Sequence, residues 1–323
     1  MSQVTTDTIE RQAVIPAELH GRRLDQAAVE LLPEFSRSRL QDWIASGDLT
    51  LDGQVCRAKD KVNRDQVLQL TAVPEPVVNW SGEAAELEII HEDSHVIVVN
   101  KPAGIVVHPG AGHAAGTLVN ALIGHAPELE RLPRGGIVHR LDKDTSGIMV
   151  VARSSVAHQS LIQQLAARTV KRVYTAVCRG ALSGGGTVDA PIARHPTVRT
   201  RMAVVASGKP AVTHYFIDER FQNHTALSVH LETGRTHQIR VHMTHRNNPL
   251  LGDPAYGGRL KLPKAASPEL REALQDFPRQ ALHARTLAFQ HPATGDDCAF
   301  ETPLPDDMLQ LLAVLRAHDA IPS

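Results

Sequence analysis

The sequence has few aromatic residues, few cysteines and almost no net charge. Phe, Trp and Tyr make up 3% of the 323 residues, although 42% are hydrophobic, so the core must be built mainly of Leu, Val, Ile and Ala. The three cysteines lie far apart and form no C-x-x-C pair, which favours idle thiols in a reducing compartment over a redox or zinc site. The length favours two domains over one.

Targeting and membrane signals are also missing from the sequence. The first residues, MSQVTTDTIERQ, are polar and acidic, without the basic and apolar segments of a signal peptide. No apolar run approaches the roughly 18 residues that a membrane-spanning helix needs. We therefore expect a cytoplasmic protein that does not contact a membrane.

The net charge of −1 conceals an uneven distribution of charge. Residues 131–264 hold 20 Lys and Arg against 7 Asp and Glu, a balance of +13, and the rest of the chain is acidic. Such segregation is typical of a surface that binds a polyanion. The alternative is that these charges lie on separate faces and only keep the protein soluble.

Hydrophobic periodicity and turn residues predict two α+β domains. Residues 13–75 combine two short helices with strands, and the run 73–82, which holds two prolines, is typical of a linker. Residues 76–323 form the second domain. Its neighbouring strands are joined by short turns, which favours a mixed, mainly antiparallel sheet over a doubly wound parallel one. We expect strands at 87–90, 96–99, 137–139, 148–152, 170–178, 211–221, 225–232, 282–290 and 297–302, and helices at 118–123, 156–168, 236–245 and 306–318.

The most informative segment is GIVHRLDKDTSGIMVV at residues 136–151. Two apolar runs that are typical of strands flank a polar loop bounded by glycine, and such a loop presents its side chains from a rigid base. Without further information, a surface turn with solvated charges would explain this segment equally well.

The run His-Arg-Leu-Asp-x-x-Thr-Ser-Gly at residues 139–147 resembles the catalytic motif of the RluA family of pseudouridine synthases. Other motifs of this family follow in order: NKPAG at 100–104, KRVY at 171–174, GRTHQIRVH at 234–242, LGDPAYGG at 251–258 and LHA at 282–284. Residues 13–72, with SRSR at 36–39, resemble the S-four-type RNA-binding domain that precedes the catalytic domain in part of the family. The resemblance therefore covers nearly the whole chain.

The resemblance implies isomerisation of uridine to pseudouridine in structured RNA. This reaction breaks the bond from ribose to a ring nitrogen, rotates the uracil and forms a carbon bond, so neither a cofactor nor a metal is expected. Breaking the bond builds positive character on the sugar, which an ionised carboxylate can stabilise or trap. Asp142 is the candidate. Attack on the anomeric carbon and removal of the 2′ proton both remain open.

The resemblance also assigns roles to other side chains. Arg240 would keep Asp142 ionised in a partly desolvated pocket; the less favoured alternative is a phosphate contact or a solvated helix charge. Tyr174 would stack on the uracil, although a single Tyr in a strand usually belongs to the core. Arg140 would fill the space left by the extruded base. The remaining candidates for RNA contacts are Arg37, Arg39, Lys171, Arg235 and His237.

The implied partner is 23S ribosomal RNA of the large subunit, at the helix-69 stem-loop, either naked or in precursors of the subunit. We expect the enzyme to act as a monomer. Three alternatives remain: a related synthase that acts on tRNA, an RNA-binding protein without activity, and a hydrolytic nucleosidase that releases free base.

Overall fold

The computed structural model describes residues 8–35, 37–72, 81–109 and 115–321, except for the side chain of residue 38. The chain divides into two compact units, Met1–Asn79 and Trp80–Ser323. The predicted domain boundary at residues 75 and 76 lies outside the described residues. No helix in the described part of the chain combines the length and apolar character that crossing a membrane requires.

The N-terminal unit packs two helices against a three-stranded antiparallel sheet of order β1-β3-β2. Strand β3 alternates buried and exposed side chains, so Leu68 and Leu70 face the helices. The unit begins earlier than residue 13, because Ile9 already pairs with β3. Its elements are β1 (Ile9–Val14), α1 (Leu24–Leu31), α2 (Arg37–Ser46), β2 (Leu49–Leu51) and β3 (Val67–Ala72).

The second unit is built on a nine-stranded sheet of order β4-β5-β6-β13-β7-β12-β11-β8, with β14 paired to β13. Among the strand pairs that the structure describes in this sheet, only β6–β13 is parallel, so the prediction of a mixed, mainly antiparallel α+β fold is confirmed. The strands are β4 (Glu88–Glu92), β5 (Val96–Lys101), β6 (Ser146–Ala152), β7 (Lys171–Arg179), β8 (Gly186–Asp189), β9 (Ile192–Arg194), β10 (Met202–Val204), β11 (Val212–Arg220), β12 (His224–Leu231), β13 (Leu282–Gln290) and β14 (Asp297–Glu301), of which β9 and β10 form a separate hairpin.

Helices cover both faces of the large sheet. Ile97 and Val99 of β5 pack with α3 on one face, whereas Val96 and Val98 pack with α4 on the other, as strand alternation requires. A third apolar cluster joins α6 and α7 to the sheet. These clusters consist mainly of aliphatic side chains, as the composition predicted. The helices are α3 (Leu118–His125), α4 (Ser155–Ala166), α5 (Gln238–His245), α6 (Pro268–Asp276) and α7 (Asp306–His318).

The predicted strand at 137–139 is wrong. Ile137 forms only an isolated bridge to Val151, and β6 does not begin until Ser146. The backbone immediately before Ile137 turns tightly, with positive φ angles at Arg134, Gly135 and Gly136. The polar loop is therefore preceded by a tight turn and followed by strand β6, instead of being flanked by two strands. Helix α6 and the short strands β8, β9 and β10 were not predicted.

Candidate active site

A cleft of about 410 Å³ opens in the second unit, between the loop before β6, the start of β7 and the start of α5. We refer to it as the cleft. It brings together side chains from distant parts of the sequence, with His108 and Leu282 at the two extremes. Six of the nine predicted site residues line it: Arg140, Asp142, Tyr174, Arg235, His237 and Arg240.

The loop that carries Asp142 is fixed by buried hydrogen bonds. Asp142 begins a tight turn in which the Thr145 N–H donates to the Asp142 carbonyl at 3.1 Å. The fully buried Lys101 ammonium donates to the carbonyls of Pro102, Ile105 and Lys143 at 2.8, 3.0 and 3.0 Å. The lysine therefore ties the loop to the end of β5.

Gly147 allows β6 to lie directly beside β13. Its φ is +120°, and a Cβ atom there would lie 2.2 Å from the Ala284 carbonyl oxygen. Only glycine fits such a position. The motif Thr-Ser-Gly thus sets the distance between the two strands just after the turn that carries Asp142.

Arg240 lies between two carboxylates. Its Nη1 donates to Asp142 Oδ2 at 2.9 Å, while Nε and Nη2 donate to Asp253 at 2.7 and 2.9 Å. Burial lowers the pKa of the Arg240 guanidinium, but the hydrogen bonds and charge of Asp253, with those of Asp142, outweigh burial and raise that pKa above its usual value. Arg240 is therefore a fixed cation beside Asp142.

His237 and Tyr256 form the next part of the site. His237 precedes α5 with a left-handed φ of +57°, which explains why the helix begins at Gln238 and not at the predicted residue 236. His237 Nε2 lies 3.9 Å from Asp142 Oδ1, and its Nδ1 shares a hydrogen bond of 2.7 Å with the Tyr256 hydroxyl. Burial lowers the pKa of His237, although the Asp142 charge opposes this.

Tyr174 lies on the wall of the cleft, in the middle of the sheet between β12 and β13. The side chain is buried, and this burial raises the pKa of its phenol. A neutral aromatic ring with low exposure suits stacking against a planar base.

Three predicted RNA contacts do not line the cleft. Lys171 is exposed at the start of β7. Arg37 and Arg39 belong to the N-terminal unit, where Arg37 donates to the buried Asp25 at 2.7 Å and the Arg39 guanidinium lies 5.0 Å from the centre of the Trp43 ring. Burial raises the pKa of Asp25, but hydrogen bonds from Arg37, Arg23 and Gln41 outweigh it and lower the pKa to about 2.

Sequence reasoning missed Lys101, Asp253 and Tyr256. All three lie in motifs that carry the family resemblance, NKPAG and LGDPAYGG, but no role was assigned to them. A buried charge needs a partner, and the sequence does not reveal which residue provides it. In the described ranges, no group of three or more His, Cys, Asp or Glu side chains could hold a metal ion.

Comparison with known proteins agrees with the fold. The family model described as RNA pseudouridylate synthase matches residues 95–245, and the S4 domain model matches residues 22–68. The chain belongs to the RNA pseudouridylate synthase family, in the RluA-type branch that the motifs indicated. It is therefore a pseudouridine synthase, with an N-terminal S4 domain of the kind that binds RNA.

Three relatives are similar to the chain over nearly its whole length, and each is a ribosomal large subunit pseudouridine synthase D. The relative from Pseudomonas aeruginosa is 55% identical, covering 96% of this chain and 97% of its own. The relative from Xanthomonas campestris is 53% identical, with coverages of 97% and 95%. The relative from Escherichia coli is 48% identical, with coverages of 96% and 95%.

Among solved structures, human RNA pseudouridylate synthase domain containing 4 has a TM-score of 0.56 at 26% identity and covers 71% of this chain and 93% of its own. Human RNA pseudouridylate synthase domain containing 1 has a TM-score of 0.53 at 24% identity, with coverages of 77% and 100%. The second likeness concerns the fold alone.

Proposed function

We propose that this chain isomerises uridine to pseudouridine in the RNA of the large ribosomal subunit, with Asp142 as the essential carboxylate. One observation carries this assignment: the Asp142 carboxylate is 2.9 Å from the Arg240 guanidinium in a cleft that Tyr174 also lines. The RNA substrate is inferred from the names of the similar proteins, which are large-subunit synthases.

In the proposed reaction the extruded uridine enters the cleft with its ribose against Asp142 and its base against Tyr174. The carbon–nitrogen bond breaks, and its electron pair leaves with the uracil. The uracil then turns, its C5 bonds to the sugar, and the proton on C5 moves to a nitrogen. The Arg240 guanidinium holds the Asp142 carboxylate in the cleft before the bond breaks, so that a negative group lies next to the sugar as its positive character develops.

The Asp142 carboxylate can react with the ribose by two routes. It can bond covalently to the anomeric carbon, and this ester bond then breaks when C5 of the uracil bonds to the same carbon. Alternatively, it can remove the 2′ proton to give a neutral intermediate and return this proton to C2′ when C5 bonds to the sugar. Substrate RNA that carries deuterium at C2′ separates the routes, because removal of the proton gives a primary isotope effect on the rate of bond cleavage. Covalent attack leaves this rate nearly unchanged.

The proposed activity is tested by incubating the purified chain with large-subunit rRNA and analysing the nucleosides. We expect pseudouridine at defined positions and no free uracil. Free uracil would indicate a hydrolytic nucleosidase. RNA that is bound but unchanged would indicate a binding protein without activity.

For the target, we propose the helix-69 stem-loop of 23S rRNA in precursors of the large subunit, with the enzyme acting as a cytoplasmic monomer. Bases in loops can be splayed out for recognition, and the family resemblance implies this stem-loop. Mapping pseudouridine in rRNA from cells that lack the gene tests the target, since only the target positions should return to uridine. A loss confined to tRNA would contradict it.

The N-terminal unit would supply affinity for the RNA through two arginines of α2, the exposed Arg37 and the half-buried Arg39. Each phosphate contact that is lost should lower the slope of log affinity against log salt by about 1. We therefore expect the double variant Arg37→Gln, Arg39→Gln to bind rRNA more weakly at low salt, with a shallower salt dependence.

Arg11→Gln is the control for this double variant, because Arg11 lies on β1 and is half-exposed in an ion pair with Glu34. Deleting residues 1–75 should slow modification of assembled particles more than the double variant does. An unchanged rate after the deletion would reject a role for this unit in RNA binding.

A further inference from the structure

Three arginines are buried in the described part of the chain, and one of them lacks a counterion. Arg240 is paired with Asp253 and Asp142, and Arg279 donates to Asp307 through two nitrogens. Arg172 is 8% exposed, yet no carboxylate of the described residues pairs with it. A buried cation without a partner is costly.

The hydrogen bonds of Arg172 are also incomplete. Of its five N–H groups, one Nη2 group donates to the Glu232 carbonyl at 3.2 Å, and Nε has no acceptor among the residues that the structure describes. Burial lowers the pKa of this guanidinium. Burying a guanidinium without a counterion costs free energy of folding. Such a buried group suggests a function when a bound ligand can provide the missing hydrogen-bond acceptor.

Arg172 belongs to the wall of the cleft. It precedes Tyr174 on β7 by two residues, so both side chains project from the same face of the strand, and both line the cleft. The guanidinium therefore lies beside the surface on which the base would stack.

We infer that Arg172 binds a carbonyl oxygen of the extruded uracil and stabilises the negative charge that the uracil acquires when its bond to the ribose breaks. This inference rests on the proposed function. The uracil takes the bonding electron pair and spreads its charge over N1 and the two carbonyl oxygens. An N–H donor placed at such an oxygen acts mainly in the transition state.

A backbone phosphate is the other anionic group that the RNA could offer to Arg172. The phosphates belong to a continuous strand that must remain at the mouth of the cleft, where Arg140 and Arg235 are exposed. The 8% exposure of Arg172 favours the base, which is the part of the nucleotide that leaves solvent. The binding site thus recognises an acceptor oxygen on a planar, anionic leaving group.

The test compares Arg172→Met and Arg172→Lys with the unmodified chain under single-turnover conditions. We expect cleavage of uridine to slow by about a hundredfold or more in Arg172→Met, as for the loss of one donor to a developing anion. The affinity for RNA should change less than threefold. Arg172→Lys retains the charge without the planar guanidinium. Its cleavage rate should lie between those of Arg172→Met and the unmodified chain.

Leaving-group chemistry gives a second readout. Fluorine at C5 stabilises the departing uracil anion, so cleavage of a 5-fluorouridine target depends less on an external cation. The defect of Arg172→Met should therefore be at least about tenfold smaller on this substrate than on uridine. Equal defects on both substrates would indicate a phosphate contact or a structural role and would overturn the inference.

Stability provides the control for folding. Removal of an unpaired buried charge should leave the melting temperature unchanged or raise it, so the loss of activity would not reflect unfolding. Arg220→Gln, which removes a guanidinium from the exposed end of β11, is the matched control and should retain full activity. If Arg172→Met unfolds, the same substrate comparison on Arg172→Lys decides, with equal defects again overturning the inference.

The outcomes also separate the two claims. An inactive unmodified chain would refute the proposed function itself. An active unmodified chain with a fully active Arg172→Met variant would refute only the role of Arg172.

Discussion

Replacing Asp142 by asparagine should abolish formation of pseudouridine, with a rate loss on the order of 10⁴-fold or more, as for removal of a group that takes part directly in bond making. Asparagine has the same shape and can still accept the hydrogen bond from Arg240, so the loop should keep its structure. The amide is neutral, so it cannot stabilise positive charge on the ribose, and it is a poor nucleophile and a poor base. RNA binding should persist.

The matched control for this variant is Asp144→Asn. Asp144 lies in the same turn but does not line the cleft, and its carbonyl, not its carboxylate, accepts a hydrogen bond from Arg279 at 3.2 Å. We expect its activity to remain within about tenfold of the unmodified chain. Activity that survives Asp142→Asn, or that is lost equally in both variants, would refute the assignment of Asp142. Single-turnover release of tritium from C5 of the uridine measures both rates.

Replacing Arg240 by methionine should impair both activity and stability. Asp253 is fully buried at its side chain, and without Arg240 its charge would be left with only the backbone N–H groups of Ala255 and Tyr256. Breaking a buried ion pair from one side typically costs about 3–5 kcal/mol in the free energy of unfolding. Activity should fall as well, because Asp142 loses the guanidinium that holds its carboxylate in the cleft.

A double variant separates the two effects. Arg240→Met combined with Asp253→Asn removes the orphaned charge, so it should recover most of the lost stability. Its activity should stay as low as that of Arg240→Met alone, because Asp142 still lacks its cation. Denaturant unfolding followed by circular dichroism measures the first effect, and single-turnover kinetics measure the second. Recovery of activity in the double variant would show that Arg240 acts only through the fold.

The sequence predicted the parts of the site that short motifs encode. Asp142, Tyr174 and Arg240 come from three separate motifs, and the cleft brings them together. The counterion Asp253 was not predicted, since a bidentate pair depends on where the chain places the loop after α5. Likewise, nothing local indicates that Arg172 is buried without a carboxylate partner among the described residues, because burial and partners are properties of the whole fold.

Hydrophobic periodicity predicted the type of element correctly where the strands are long. The predicted strand at 137–139 failed because the tight turn at Gly135 and Gly136 redirects the chain before an apolar run that otherwise resembles a strand. The position of β13 between β6 and β7 could not be predicted either. It pairs residues 282–290 with strands more than 100 residues earlier, and hydrophobic patterning contains no information on such partners.

The insertion of β13 has a consequence for how the protein is made. Until residues 282–290 have been synthesised and have left the ribosome, a growing chain carries two central strands whose inner edges have nothing to pair with. Such open edges invite pairing with other chains. A strand within the last 42 residues therefore completes the middle of the sheet, and a chain that ends shortly before residue 282 should be inactive and prone to aggregate.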